Sequence, residues 1–198
     1  MQSGRRDFLR MGSLAAAALA AEPFDALRRR SQLAAAETRG SGYGPLRPAR
    51  DEATGLELIR LPEGFRYVSF GWTGDPLEGG APTPSAHDGM AAIAQSGDLV
   101  TIIRNDEVSE PGPSISPAAH TYDAQADGGC TRLIFDSAAG RLVSAGAALG
   151  GTHRNCAGGP TPWGTWLTCE ETVDDAHGTF EGTPWPFEKD HGFIFEVT

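Results

Sequence analysis

Short apolar runs separated by turn-forming residues constrain the fold of this chain more than any other feature. The 198 residues include 26 Gly and 14 Pro, and no stretch after residue 40 has the length and periodicity of a long helix. The runs between the turns are rich in β-branched and aromatic side chains, which is typical of strands. We predict strands over residues 65–70, 98–104, 130–136, 141–144, 163–170 and 191–197.

This pattern predicts an all-β domain of antiparallel strands with long inserted loops. Residues 130–136 and 141–144 flank a turn that ends in Gly140, which indicates a hairpin. The stretches 71–97 and 105–129 are predicted to be loops, and long loops in a compact domain are usually functional. A sandwich, a barrel and a propeller all fit, because no repeat of fixed period distinguishes them.

The first 36 residues read as an export signal. Arg5-Arg6 followed by Phe8-Leu9 and an Ala-rich apolar run match the twin-arginine pattern, and the run is shorter than the roughly 20 residues that span a bilayer. Small residues permit cleavage near residue 20 or near residue 36. An amphipathic helix with chance arginines is the alternative. We expect a twin-arginine translocase partner, a periplasmic or secreted protein without a stable membrane anchor, and a linker over 37–56.

The charge of the remaining chain is strongly acidic. Lys and Arg total 16 and Asp and Glu total 26, and residues 1–36 contain six of the arginines but three of the acids, which leaves a net charge of −13 after residue 36. Such a surface repels nucleic acid and anionic membranes. It suits a protein that binds hard cations through carboxylates, although an acidic surface that serves only solubility fits equally well.

The densest group of candidate metal ligands lies between residues 150 and 171. Cys156 is predicted to lie in a glycine-rich loop, and Glu170 and Glu171 end an apolar strand, where carboxylates are costly unless they are paired or bound to metal. Strand alternation places Cys169 on the face of Glu171 and Glu170 on the other face. A thiolate beside carboxylates suits iron better than magnesium. The alternative is that the cysteines are small buried side chains and the acids are solvated.

A second candidate site follows the predicted strand at 98–104. Asn105 and Glu107 offer oxygen ligands for calcium, or they form a polar turn. His87-Asp88 is a weaker candidate. The three cysteines, Cys130, Cys156 and Cys169, cannot all pair within one chain. The sequence contains no Gly-x-Ser-x-Gly elbow, Walker loop or His-Glu-x-x-His motif, so the familiar nucleophile, phosphate-loop and zincin chemistries are not indicated.

Several motifs together resemble the PhoX family of bacterial alkaline phosphatases. They are His-Asp-Gly-Met from residue 87, Asn-x-Glu from residue 105, the stretch from Asn155-Cys156 to Cys169-Glu170-Glu171, and His-Gly-Phe-Ile-Phe-Glu-Val from residue 191. The resemblance covers roughly residues 57–198 and implies the N-terminal portion of a β-propeller domain. In the family the middle residue of Asn-x-Glu is usually His, whereas this chain has Asp106.

The resemblance implies an exported hydrolase of small-molecule phosphate esters that uses Fe³⁺ and Ca²⁺, and we expect a monomer. Cys156 is then the best iron ligand, with Cys169 as its rival, and Glu171, Glu107, Glu170 and Asn105 are the further metal-ligand candidates. The family's phosphate-binding arginine and other ligands fall after Thr198, so we expect residues 1–198 alone to be an incomplete propeller without phosphatase activity. A non-catalytic propeller of the same family is the alternative.

Overall fold

The computed structural model describes residues 42–180 and 182–198; the predicted export signal lies outside them. These residues form eleven strands, one short 3₁₀ turn at Ala118–His120 and no α-helix. The strands are β1 (Arg47–Ala49), β2 (Ile59–Leu61), β3 (His87–Ser96), β4 (Leu99–Asp106), β5 (Gly128–Asp136), β6 (Arg141–Thr152), β7 (Asn155–Pro160), β8 (Trp166–Glu170), β9 (Thr179–Phe180), β10 (Thr183–Pro184) and β11 (Ile194–Val197).

The chain divides into two compact units. The described part of the first unit comprises residues 42–50 and 57–66, in which β1 and β2 pair antiparallel. The rings of Tyr43 and Phe65 meet edge to face at 5.6 Å. Strand β1 lies within the stretch predicted to be a linker.

The second unit, residues 51–56 and 67–198, is built around a four-stranded antiparallel sheet in the order β3-β4-β5-β6. Each strand pairs with the next one along the chain, so the sheet is a simple meander. Leu133 packs with Leu77 and Ala145 in one core cluster. Ile103 and Cys130 pack in another cluster, so strands β4 and β5 contribute to two separate cores.

A three-stranded antiparallel sheet in the order β7-β8-β11 packs against this meander. Its buried Trp166 and Val197 complete the cluster that contains Ile103 and Cys130. The two sheets are also joined by a hydrogen bond of 2.9 Å from Trp166 Nε1 to Asn105 Oδ1. Apolar burial and one buried amide therefore fix β7 and β8 against the carboxyl end of β4, where the candidate ligands lie.

Most of the sequence-based fold prediction is confirmed. The chain is all-β in its described residues, and the hairpin predicted from its Gly-ended turn forms between β5 and β6, with Gly140 at φ 62°. The predicted strands at 98–104, 163–170 and 191–197 overlap β4, β8 and β11. A closed propeller is not seen in the described residues, where the sheets are open.

Three local predictions are wrong. Residues 65–70 form no strand, and in the second unit the Ser69 amide donates to Asp51 Oδ1 at 2.8 Å instead of to a neighbouring strand. The predicted loop at 71–97 contains the ten-residue strand β3, whose alanines have low strand propensity. Cys156 lies on β7 and not in a loop.

No helix in residues 42–180 or 182–198 combines the length and apolar character needed to cross a membrane.

Candidate metal centre

A β-bulge determines where the Cys156 side chain lies. Asn155 pairs with Glu170, but the next pair is Ala157 with Cys169, so two steps on β7 match one step on β8. Cys156 is the extra residue and has no partner in this ladder. A bulge bends the strand and redirects one side chain, and Cys156 is left partly exposed while its neighbour Asn155 is fully buried.

A second bulge lies directly opposite. On β3 the partners change from His87 with Asp106 to Met90 with Arg104, which leaves Asp88-Gly89 facing a single residue of β4. A Cβ atom at position 89 would lie 2.7 Å from the Cys156 carbonyl oxygen. Glycine is therefore required at position 89 for β7 to approach β3 this closely.

Three carboxyl groups from separate elements meet around Glu107, and two of them, Glu107 and Glu171, also lie beside the Cys156 thiol. We call Asp88, Glu107 and Glu171 the acidic cluster. Burial raises the pKa of Glu107, and the neighbouring carboxylates of Glu171 and Asp88, both within hydrogen-bonding reach, raise it further. Burial also raises the pKa of the Cys156 thiol; a hydrogen bond from the Ala157 amide opposes this, whereas the charges of Glu171 and Glu107 add to it. The fold therefore holds acidic groups that repel one another when ionised close together at Glu107.

Arg154 supplies the positive charge next to the acidic cluster. Its Nη2 lies 2.9 Å from Glu171 Oε1, and both side chains are about one-third exposed. The backbone holds the pair in place, because the Arg154 amide donates to the Val108 carbonyl and the Glu171 amide donates to the Arg154 carbonyl. Arg154 has φ 51° and Ala86 has φ 54°, so two of the three described non-glycine residues with positive φ flank this site. Such strain is often found at functional sites.

The chemical types of these side chains suit iron and calcium. A thiolate is a soft ligand and carboxylates are hard ones, and three acids around one arginine leave an excess of negative charge that a cation would neutralise. In the described residues, however, no three His, Cys, Asp or Glu side chains already have metal-ligand geometry. Because Arg154 is paired with Glu171, a bound cation would require Glu171 to exchange this partner.

Asn105 lies behind the acidic cluster and is completely buried. Its Oδ1 accepts hydrogen bonds from Trp166 Nε1, Thr168 Oγ1 and Cys130 Sγ, and its Nδ2 donates to the Ala157 carbonyl at 3.0 Å. All of its polar atoms therefore have protein partners. This arrangement fixes β7 and β8 on β4 and leaves Asn105 no free oxygen lone pair directed to the acidic cluster.

Glu170 is also saturated by protein partners. Its Oε1 accepts from the His153 amide and from His191 Nδ1, both at 2.7 Å. Its Oε2 accepts from the amides of Gly192 and Phe193 at 2.5 and 2.9 Å. Burial alone would raise the pKa of Glu170, but these hydrogen bonds outweigh it and lower that pKa. Glu170 therefore joins β8 to the segment that leads into β11.

The other two cysteines lie outside the acidic cluster. Cys169 is on the central strand β8, opposite Ala157 and Ile194. Cys130 is fully buried, and burial raises the pKa of its thiol to about 12. None of the three cysteines forms a disulfide. The structure thus brings Cys156, Glu171 and Glu107 together and separates them from Asn105 and Glu170.

A family model matches most of this chain. The model described as alkaline phosphatase PhoX matches residues 41–145 and 137–198, which together cover most of the chain. This chain belongs to the PhoX family. No curated protein and no solved structure matches it significantly. The match contains the whole acidic cluster and Cys156.

The motifs on which the resemblance was based now have a structural explanation. His-Asp-Gly supplies Asp88 and the glycine that permits the close strand approach, and Asn-x-Glu supplies the buried Asn105 and the clustered Glu107. Asp106, the middle residue of Asn-x-Glu, is buried and accepts a hydrogen bond of 2.5 Å from Thr131 Oγ1. Burial raises the pKa of Asp106 to about 7.

The sequence did not single out Arg154 or the contact between His191 and Glu170. Arg154 could have been found, because it is the only Lys or Arg between residues 142 and 188 and lies two residues before Cys156. The role of His191 depends on a contact of 2.7 Å with Glu170 across 21 residues, and no local pattern of the sequence signals such a contact.

Proposed function

We propose that this PhoX protein is an exported, metal-dependent hydrolase of phosphomonoesters whose domain closes into a β-propeller. The convergence of Cys156, Glu107 and Glu171 from three separate elements is the observation that carries the proposal. A four-stranded antiparallel meander, such as β3–β6, has the size of a propeller blade. The acidic composition and the PhoX family match are consistent with this function.

The chain's own residues would prepare the site for metals. Cys156 would bind iron through its thiolate, and Glu107, Glu171 and Asp88 would supply oxygen ligands for iron and calcium. Once bound, Fe³⁺ and Ca²⁺ would neutralise phosphate oxygens and stabilise transition-state charge. Release of Glu171 towards the metals would free the Arg154 guanidinium, which is then available for an anion. The buried amides behind β7 would keep the ligands in position.

Metal analysis of the intact protein tests this proposal. We expect iron and calcium in the purified protein, together with hydrolysis of p-nitrophenyl phosphate that is lost on chelation. Cys156→Ser should abolish iron binding and activity, because it replaces the thiolate with a weak hydroxyl donor. Cys169→Ser is the matched control, since Cys169 lies outside the acidic cluster, and it should keep both. Full metal content and activity in Cys156→Ser would refute the assignment.

A non-catalytic member of the family is the second candidate. Two observations favour it: the Arg154–Glu171 ion pair satisfies Glu171 without a metal, and no metal-ligand triad is preformed in the described residues. A folded, monomeric protein that binds neither iron nor calcium would support this alternative.

Export by the twin-arginine route is part of the proposal and rests on residues 1–36 of the sequence. The protein would then act in the periplasm or after secretion. Cell fractionation of Arg5→Lys/Arg6→Lys should show the protein retained in the cytoplasm, and unchanged export would contradict this route.

A further inference from the structure

A cavity of about 630 Å³ opens beside the acidic cluster. This volume lies within the range of small-molecule sites, about 300–1,000 Å³. Arg154 both lines the cavity and pairs with Glu171, so the cavity and the proposed metal centre share this side chain. Its other lining residues include Glu110, His153, Thr172, Asp174 and Trp185.

Arg154 has hydrogen-bonding capacity left at this wall. Its Nη2 contacts Glu171, whereas its Nε is buried and has no hydrogen-bond partner among the described residues. The Arg154 side chain as a whole is about one-third exposed, so its guanidinium group can meet an anion that enters the cavity. The phosphoryl group of an ester is such an anion, and guanidinium groups bind phosphate oxygens in pairs.

Aromatic packing makes the part of the wall around Trp185 rigid. The Trp185 ring stacks on Phe187 with centroids 4.8 Å apart and an interplanar angle of 13°. The His153 ring packs edge to face with the Trp185 ring, with centroids 5.3 Å apart. Phe187 and His153 are both buried. The wall therefore keeps its shape without a ligand, which lowers the entropic cost of binding one.

The charges inside the cavity are mainly negative apart from Arg154. Glu110 is exposed, and Asp174 accepts from Thr172 Oγ1 at 2.8 Å and lies 3.6 Å from His153 Nε2. Burial lowers the pKa of His153, so its ring is neutral above pH 7 and does not offset these carboxylates. Two carboxylates repel a second anion but accept hydrogen bonds from hydroxyl groups.

We propose that this cavity binds the alcohol portion of the phosphomonoester and selects an uncharged, hydroxylated alcohol over an anionic one. The phosphoryl group would lie at Arg154, and the alcohol would extend between Trp185 and the two carboxylates of Glu110 and Asp174. The inference rests on the proposed phosphatase function, because that function identifies the ligand as a phosphate ester. The charge selection itself concerns binding and not catalysis.

Two non-hydrolysable phosphonates test the charge selection. The pair is 3,4-dihydroxybutylphosphonate and 2-hydroxy-4-phosphonobutanoate, which differ by a hydroxymethyl group in place of a carboxylate. Isothermal titration calorimetry on the intact protein at pH 8 should give about fivefold tighter binding of the diol, as expected for one like-charge repulsion at a few ångströms in water. Glu110→Gln should lower this ratio, because it removes one of the two carboxylates that repel the anionic ligand. Glu78→Gln, which removes the same charge at an exposed residue outside the cavity lining, should leave the ratio unchanged.

Equal binding of both phosphonates by the wild-type protein, or binding of neither, would overturn the inference. An unchanged ratio in Glu110→Gln would do the same. Hydrolysis of p-nitrophenyl phosphate by the same preparations reports on the phosphatase function separately. An active enzyme that does not discriminate the two phosphonates refutes only the cavity assignment, whereas discrimination without hydrolysis refutes only the catalytic function.

Discussion

Replacing Glu170 with Gln distinguishes a structural carboxylate from a metal ligand. The two oxygens of Glu170 accept four hydrogen bonds, from the amides of His153, Gly192 and Phe193 and from His191 Nδ1. Glutamine keeps one oxygen and places an NH₂ group opposite two donors, so two charge-assisted hydrogen bonds are lost. Each contributes about 1.5–3 kcal/mol, and we therefore expect destabilisation by about 3–6 kcal/mol.

Urea unfolding followed by tryptophan fluorescence at pH 7 measures this difference. A domain has about 5–15 kcal/mol of stability in total, so Glu170→Gln should be marginally folded. Glu171→Gln is the matched control. Its exposed ion pair with Arg154 is worth about 0–1 kcal/mol, so this variant should stay folded while losing bound metal.

The destabilisation should also depend on pH. The folded-state pKa of Glu170 lies below its ordinary value of 4.5, so its contribution to stability is present above that value and is lost as the pH falls through the folded pKa. The stability difference between wild type and Glu170→Gln should therefore shrink on acidification below about pH 4. A Glu170→Gln variant that unfolds like wild type at pH 7 but binds no metal would refute the structural role and favour the ligand role.

Two further predictions follow from the strand packing and from a buried acid. Gly89→Ala should destabilise the fold by about 1–3 kcal/mol in urea unfolding, because its Cβ would lie 2.7 Å from the Cys156 carbonyl oxygen. Gly159→Ala is the control, since a Cβ at this position on β7 would have no atom within 4 Å. Equal destabilisation by the two substitutions would contradict this reason. The pKa of Asp106 is raised to about 7, so the free energy of unfolding should fall as the pH rises from about 4 to 7. Asp106→Asn should remove this pH dependence. An unchanged pH dependence in the variant would show that other groups cause it.

The ends of the strands that carry the cluster were predictable because apolar runs stop there. Glu107 follows β4 and Glu171 follows β8, so a change from apolar to acidic residues marked both positions. The same reasoning selected Asn105 and Glu170, since a polar group in an apolar strand needs a partner. The sequence does not specify whether that partner is a metal or the protein. In the structure both groups have protein partners, from residues up to 63 positions away.

Strand β3 and the position of Cys156 could not be predicted from local patterns. The Ala-rich segment His87–Ser96 forms a strand because β4 pairs with it and its inward-facing Ala91 and Ile93 pack on the core cluster, which is tertiary context overriding weak propensity. Cys156 was assigned to a loop because glycines surround it. Those glycines instead allow β7 to lie close to its neighbours: a Cβ at Gly158 would meet the Leu167 carbonyl oxygen at 2.2 Å.

The two bulges explain how a regular sheet can gather like charges at one point. In a regular ladder, neighbouring side chains alternate between the two faces, so Asn105 and Asp106 on β4 face the interior on opposite sides and leave no place for a ligand group. Irregular pairing at Asp88-Gly89 on β3 and at Cys156 on β7 breaks this alternation on one strand of each sheet. Each irregularity loses ladder hydrogen bonds, and the gathered acids raise the pKa of Glu107. Both effects oppose folding, so an ion that binds only the folded state would offset them, and the metal proposed here would stabilise the fold that positions its own ligands.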